Sequence, residues 1–197
     1  MLYLIAVFLG ISIGLLSGGR LSRLLEVRVE KLWIVIAAFA LQIILKILSD
    51  RPDGRGACAI LRMSVLILSY ILLFSWFWYN RRFAGIWVVS AGSMMNTAVI
   101  MANAGYMPVN YDVAIKAGLG NYLQANGALL DGRHILMSST TKLPFLGDML
   151  HPPSFLALFM QVVSPGDIAI GIGLAVLFFE FIKREIKLVN NFSKRVG

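Results

Sequence analysis

Cysteine is almost missing from this sequence: Cys58 is the single one among 197 residues. No disulfide can form within the chain, and a cysteine metal cluster is excluded. Charge is scarce as well. Asp, Glu, Lys and Arg together make up 14% of residues, against about 25% in soluble domains. With 58% hydrophobic residues and a mean hydropathy of +0.78, the soluble class is excluded. Histidine occurs twice, as His134 and His151, with no HExxH arrangement, so no metal site is expected. There is no Walker loop, dinucleotide fingerprint or quinone-specific pattern, and no cofactor is expected. Gly171-Ile-Gly173 lies inside an apolar run and is too short to cradle a phosphate. Ser138-Ser139-Thr140-Thr141 reads as a turn or strand rather than a set of nucleophiles. Internal repeats and low-complexity tracts are absent.

Acidic residues number 10 against 18 basic ones, a net charge of +8. In a soluble protein that excess points to nucleic acid. In so apolar a chain it reflects basic loops facing anionic lipid, and nucleic acid is not an expected partner.

What is present in quantity is apolar sequence. Five runs, at about 2–16, 32–48, 63–79, 83–104 and 168–182, approach the roughly 20 residues that cross a hydrocarbon core of about 30 Å. The first lacks the basic start and small-residue cleavage site of a signal peptide and reads as a retained helix. The sequence therefore predicts one all-α integral membrane domain over 1–197 with about five transmembrane helices. Its orientation follows from the basic residues. With the amino terminus outside, Arg20, Arg23, Arg28, Lys31, Arg81, Arg82, Lys183, Arg184, Lys187, Lys194 and Arg195 fall inside, 11 of the 18. The positive-inside rule then selects N-out, C-in. Trp33, Trp76, Trp78 and Trp87 all fall toward the same inner interface. The lipid bilayer is the first partner implied, with anionic lipids at the basic inner loops and along the tail from Lys183 to Arg195.

A long outer loop, about 105–166, joins helices four and five. Asp112–Ala117 and Leu119–Gln124 are helix-compatible, and His134–Ser139 suits a short strand. The apolar segment 154–163, set off by Pro152-Pro153 and Pro165-Gly166, is about half a bilayer long and fits an interfacial or re-entrant element.

Several marks concern packing. Gly10, Gly14 and Gly18 recur every four residues and would line one face of the first helix, allowing close approach within one monomer; Ala169 and Gly173 could do the same in the last. Glu180 precedes Lys183 and Arg184 at spacings that suit local ion pairs. Arg62 and Lys46, near outer helix ends, can extend toward the interface.

The unusual polar residues gather between Asn96 and Asp167. Asn96 and Asn103 are seven residues apart, about two turns, and share a helix face. Intramembrane amides must find partners, so they read first as interhelical bonds. With Tyr106 they are also candidates for binding or orienting a ligand. In Ser164-Pro165-Gly166-Asp167 the serine can cap the last helix, the proline can occupy its first turn, and the acid can reach back. Asp148 reads as a turn aspartate.

Two resemblances rest on these motifs. Gly18-Gly19-Arg20-Leu-Ser-Arg23, Asn103-Ala-Gly-Tyr-Met-Pro108, Leu143-Pro-Phe-Leu-Gly-Asp148 and Ser164-Pro-Gly-Asp167 together resemble a family of small bacterial multi-pass membrane proteins catalogued as a domain of unknown function. That resemblance implies the bacterial cytoplasmic membrane and no particular activity. A local one is to signal peptidase II, an aspartyl protease with two acids at the outer interface. It makes Asp148 and Asp167 catalytic candidates, because two neighbouring acids that share a proton can activate water. The sequence departs from that family in having Val163-Ser-Pro-Gly-Asp167, five spans rather than four, and Gly120-Asn121 without the following acid and arginine.

Three functions follow. The leading expectation is a non-catalytic binding, assembly or accessory component acting beside another membrane protein. The second is an aspartyl hydrolase at the membrane interface. The third, a small-solute carrier, suffers from having no charged residue in mid-span and no inverted repeat.

Overall fold

The computed structural model describes residues 2–49, 58–117, 133–151 and 162–183. Helices α1 (Leu2–Leu16), α2 (Arg23–Glu26), α3 (Leu32–Ser49), α4 (Cys58–Tyr79) and α5 (Ala84–Ala102) come first. They are followed by strand β1 (Met107–Val109), helix α6 (Tyr111–Lys116), strand β2 (His134–Leu136), a 3-10 turn (Pro144–Leu146) and helix α7 (Pro165–Lys183). Among the described residues, Ile60–Tyr79 of α4, α5 and α7 are long and apolar enough to cross a membrane, while α1 and Leu32–Leu45 of α3 are apolar but shorter. The candidate helix 119–124, the segment 154–163 except Val162 and Val163, and the tail beyond Lys183 lie outside the described residues.

Helix α4 begins at Cys58 rather than at 63. Arg62 interrupts the apolar pattern there, but the helix runs through it because the guanidinium has an interior place to go.

Helix α7 packs between α1 and α5, while α3 and α4 form a separate hairpin. Glycine sets the closeness of the first group. A Cβ on Gly92 would lie 2.5 Å from the Gly166 carbonyl oxygen, and one on Gly85 would lie 2.6 Å from that of Gly173. The pairs 85/173 and 92/166 run in opposite directions along the two chains, so α5 and α7 are antiparallel with their backbones in contact. Gly10 and Gly14 of α1 meet Ala175 and Ile182 of α7 in parallel register. The α1 glycine face is thus occupied within the monomer. Gly18 does not belong to it. It follows the helix with φ +85° and no neighbour within 4 Å of a Cβ. The amides of Gly18 and Gly19 bond to the carbonyls of Leu15 and Gly14, a Schellman cap in which Gly18 supplies the left-handed residue.

At the end of the bundle rich in arginine, polar groups tie the elements together. Asn80, wholly buried, accepts from the Glu30 amide at 2.9 Å and donates to the Glu30 and Trp76 carbonyls. Arg82 pairs with Glu30 at 3.4 Å, and Arg23 donates to the Lys183 carbonyl at the α7 C-terminus at 2.8 Å, where a cation also complements the helix dipole. Glu180, whose expected partner Arg184 lies outside the described residues, reaches the neighbouring helix. Its two oxygens accept the Ala84 and Gly85 amides at 3.0 and 2.9 Å, satisfying free donors at the α5 N-terminus. Beside it lies an apolar cluster of Phe77, Phe83, Ile86, Val89, Leu177 and Phe181. Trp33, Trp78 and Trp87 are exposed at this end, whereas Trp76 packs against that cluster and its buried Nε1 has no hydrogen-bond partner among the described residues.

Candidate functional site

The site is built at the opposite end, where α5 stops. Ala104 and Gly105 take positive φ, and the Gly105 amide closes back on the Ile100 carbonyl at 2.9 Å. Asn103 holds the stop in place. Its amide nitrogen donates to the Val99 and Lys142 carbonyls at 2.7 and 2.8 Å, and its oxygen accepts the Lys142 amide at 3.0 Å. One side chain thereby joins the end of α5 to a segment 39 residues away.

The chain then enters β1, which pairs in parallel with β2 on one edge, Met107 opposite His134. On its other edge Val109 forms a parallel bridge with Asp148. Pro108 offers no amide hydrogen, but its carbonyl accepts the Asp148 amide at 2.8 Å. Asp148, read from sequence as a turn aspartate, follows the 3-10 turn and forms a single β-bridge to β1. The 3-10 turn delivers it. Gly147 fits only without a side chain, its Cβ position lying 2.6 Å from the Pro108 carbonyl oxygen. Residues two apart on a strand share a face, so positions 107 and 109 bring His134 and Asp148 to the same side. Their Nε2 and Oδ2 atoms stand 3.1 Å apart.

The start of α7 is the second half of the site. Ser164 and Asp167 form a reciprocal cap: the Asp167 amide donates to Ser164 Oγ and the Ser164 amide to Asp167 Oδ2, both at 3.0 Å. Asn96 joins it from α5, donating to Asp167 Oδ1 at 2.9 Å and accepting from Ser164 Oγ at 2.9 Å. Tyr3 of α1 donates to the same Oδ1 at 2.7 Å. Three helices meet on one carboxylate. Gly166 makes room for this, since a Cβ there would overlap the Asn96 amide.

Between these halves and the α3–α4 hairpin lies a cavity of about 230 Å³. Its polar lining comes from Gln42, Arg62, Tyr70, Asn96, Arg133 and His134, with Asp148 and Asp167 at the wall. Leu45, Leu66, Ile100 and Met107 supply its apolar part. Arg62 does not reach for the interface as its position suggested. It is buried, and its guanidinium carbon sits 4.5 Å from the centre of the Tyr106 ring. Tyr106 acts on the cavity through Arg62.

Both aspartates, Asn96 and, through Arg62, Tyr106 thus converge on one cavity, whereas Asn103 braces the loop from outside its lining. The two carboxylates have different settings. Both Asp167 oxygens are engaged by Asn96, Tyr3 and the Ser164 amide, while Asp148 faces His134. Sequence reading passed over Gln42, Tyr70 and Arg133 as site residues and weighed His134 only as a metal ligand and the start of a strand. Gln42, an amide inside an apolar run, carried a local signal. His134 carried none, because its pairing with Asp148 depends on the strand register. Among the described residues no group of three or more His, Cys, Asp or Glu is placed to hold a metal ion.

Comparison with known proteins places the chain by family alone. No curated protein and no solved structure matches it, and the resemblance to signal peptidase II finds no support there. The model of a family of unknown function, DUF5317, matches residues 26–179. That span covers the glycine pairs of α5 and α7, the small sheet and both aspartates, and the chain belongs to this family.

Proposed function

We propose that the protein is a five-span, N-out/C-in component of a bacterial cytoplasmic membrane that works by binding rather than by chemistry, through the cavity at the outer end of its helices. The observation that carries this reading is the convergence of separate sequence motifs on that cavity. Asn96 on α5, Arg62 on α4, His134 on β2, Asp148 after the 3-10 turn and Asp167 on α7 come from five elements and line one space. A concave site with a few convergent polar groups and an apolar remainder is the usual form of a ligand site. In this reading α1 and α3, shorter than the other three spans, cross with their ends at headgroup level. The basic end faces the cytoplasm and its anionic lipids, and a membrane-protein partner docks alongside.

Native mass spectrometry of protein extracted in mild detergent tests the binding reading. The wild type should carry a non-covalent adduct that is lost on filling the cavity with Ile100→Trp, the variant first being shown to melt cooperatively. An adduct pattern unchanged by the substitution would contradict it.

One observation favours the aspartyl hydrolase as a second reading: Asp148 and Asp167 line the same cavity. The bonding of Asp167 weighs against it, since an acid that shares a proton needs a free oxygen facing the other carboxyl. If it holds, Asp148→Asn and Asp167→Asn should each abolish cleavage of a lipopeptide in reconstituted vesicles without lowering expression. Absence of cleavage by the wild type would remove it.

A further inference from the structure

Gln42 is a half-buried amide set in the apolar helix α3, and it lines the cavity. Its Nε2 donates to Ser69 Oγ on α4 at 3.3 Å. The Ser69 hydroxyl gives its own hydrogen to the Leu66 carbonyl at 2.9 Å, so towards Gln42 it can only accept. That fixes which way the amide points. Nε2 faces Ser69, and Oε1 is left as an acceptor with no hydrogen-bond partner among the described residues. Inside a hydrocarbon layer such an oxygen calls for a donor. On the other wall, Asn96 Nδ2 gives one of its two hydrogens to Asp167, leaving the second.

The charged groups of the wall are already matched. Arg62 lies on the Tyr106 ring, His134 and Asp148 face each other at 3.1 Å, and Arg133 has an interaction of its own. Asp167 accepts three hydrogen bonds, from Asn96, Tyr3 and Ser164. A charged ligand would therefore enter a partly apolar space without a free counter-charge, which is costly. A hydroxyl meets no such penalty, and it both donates and accepts. The volume of about 230 Å³ is several times the roughly 30 Å³ share of one water. Leu45, Leu66 and Ile100 supply an apolar surface beside the polar one.

We propose that this cavity binds the uncharged, hydroxyl-bearing head of a small amphiphile, the hydroxyl donating to Gln42 Oε1 and the apolar part lying against Leu45, Leu66 and Ile100. The proposal rests on the binding reading above and adds the class of ligand. Two sources carry such a head, a neutral bilayer lipid of the monoacylglycerol type and a free polyol, and both are tested.

The full chain is reconstituted in phosphatidylcholine nanodiscs and its thermal midpoint is followed. One arm adds monooleoylglycerol, with methyl oleate, which has the same chain and no hydroxyl, as its control. The other arm adds free glycerol. A midpoint raised by monooleoylglycerol and not by methyl oleate identifies the lipid, and this comparison uses the wild type alone. A response to glycerol that depends on Gln42 identifies the free polyol. In whichever arm responds, Gln42→Leu should weaken the apparent affinity about fivefold, the scale of one neutral hydrogen bond. Ser75→Ala, on the same hairpin but outside the cavity lining, should leave it unchanged. Equal responses to the two oleates with no Gln42-dependent response to glycerol overturn the proposal, as does an affinity unaltered by Gln42→Leu. The two readings fail separately. An adduct removed by Ile100→Trp, with no Gln42-dependent response to either hydroxyl source, leaves binding standing and sinks this ligand class. An adduct that survives Ile100→Trp contradicts both.

Discussion

Asp167 shows how much one side chain holds together. Its carboxylate takes bonds from Tyr3 on α1, Asn96 on α5 and the amide of its own capping serine, so three helices share a single acceptor. Replacing Asn96 with Leu removes a donor to Asp167 and an acceptor for Ser164. Leaving a buried polar group short of a partner costs about 1–3 kcal/mol, and the thermal midpoint of the variant should fall accordingly. An unchanged midpoint would mean that water satisfies the network. Gly166→Ala tests the same point by volume rather than chemistry. The new methyl overlaps the Asn96 amide, and destabilisation of about 1–3 kcal/mol is expected; a neutral result would show that the helices can separate without penalty. The capping role of Asp167 was legible in Ser164-Pro-Gly-Asp167, because capping is a local code. Its bond to Tyr3 spans 164 residues and left no trace in spacing.

Between elements, closeness comes from glycine at matched spacing. Gly85 and Gly92 on α5 and Gly166 and Gly173 on α7 are each seven residues apart, a two-turn repeat. Sequence reading noticed the four-residue repeat in α1, where Gly10 and Gly14 do pack and Gly18 instead ends the helix. It missed the seven-residue repeat, because the two members of each pair are separated by apolar residues that look alike from one dimension. The apolar runs themselves read well, since hydrophobic length is a property of composition. Ends were less legible where a polar residue is used internally: Arg62 hid the first turn of α4. Gly92→Leu should push α5 from α7 and lower the thermal midpoint strongly, whereas Ala91→Leu, on an exposed position of the same helix, should be close to neutral. Equal effects would contradict a contact specific to the glycine face. Glu180→Ala removes the acceptor of two α5 amides; a loss of about 0.5–2 kcal/mol is expected from capping energetics, seen in the same melt, and no change would show that the two amides find other acceptors.

At the scale of the whole molecule, the parallel α1–α7 contact and the antiparallel α5–α7 contact put Arg23, Arg82 and Lys183 at one end and the cavity at the other. The small parallel sheet joins parts of the α5–α7 connection that are far apart in sequence. A short strand from His134 was expected and β2 is it, but β1 and the pairing were not foreseen, because a three-residue strand carries too short a pattern. What was legible was that Asn96, Asn103, Asp148 and Asp167 gather at one end of the helices. What was not legible was that Gln42, Arg62 and Tyr70, from the α3–α4 hairpin, complete the same wall. Reporter fusions after Arg82 and after Gly127 should report opposite compartments, inside and outside; one compartment for both would contradict the proposed orientation.

The central claim is that the cavity lined by Arg62, Asn96, Asp148 and Asp167 holds a ligand. Native mass spectrometry of the wild type beside Ile100→Trp addresses it most directly. The account predicts an adduct on the wild type that disappears when the cavity is filled while the fold persists. The same adduct on both proteins, or none on either, would contradict it.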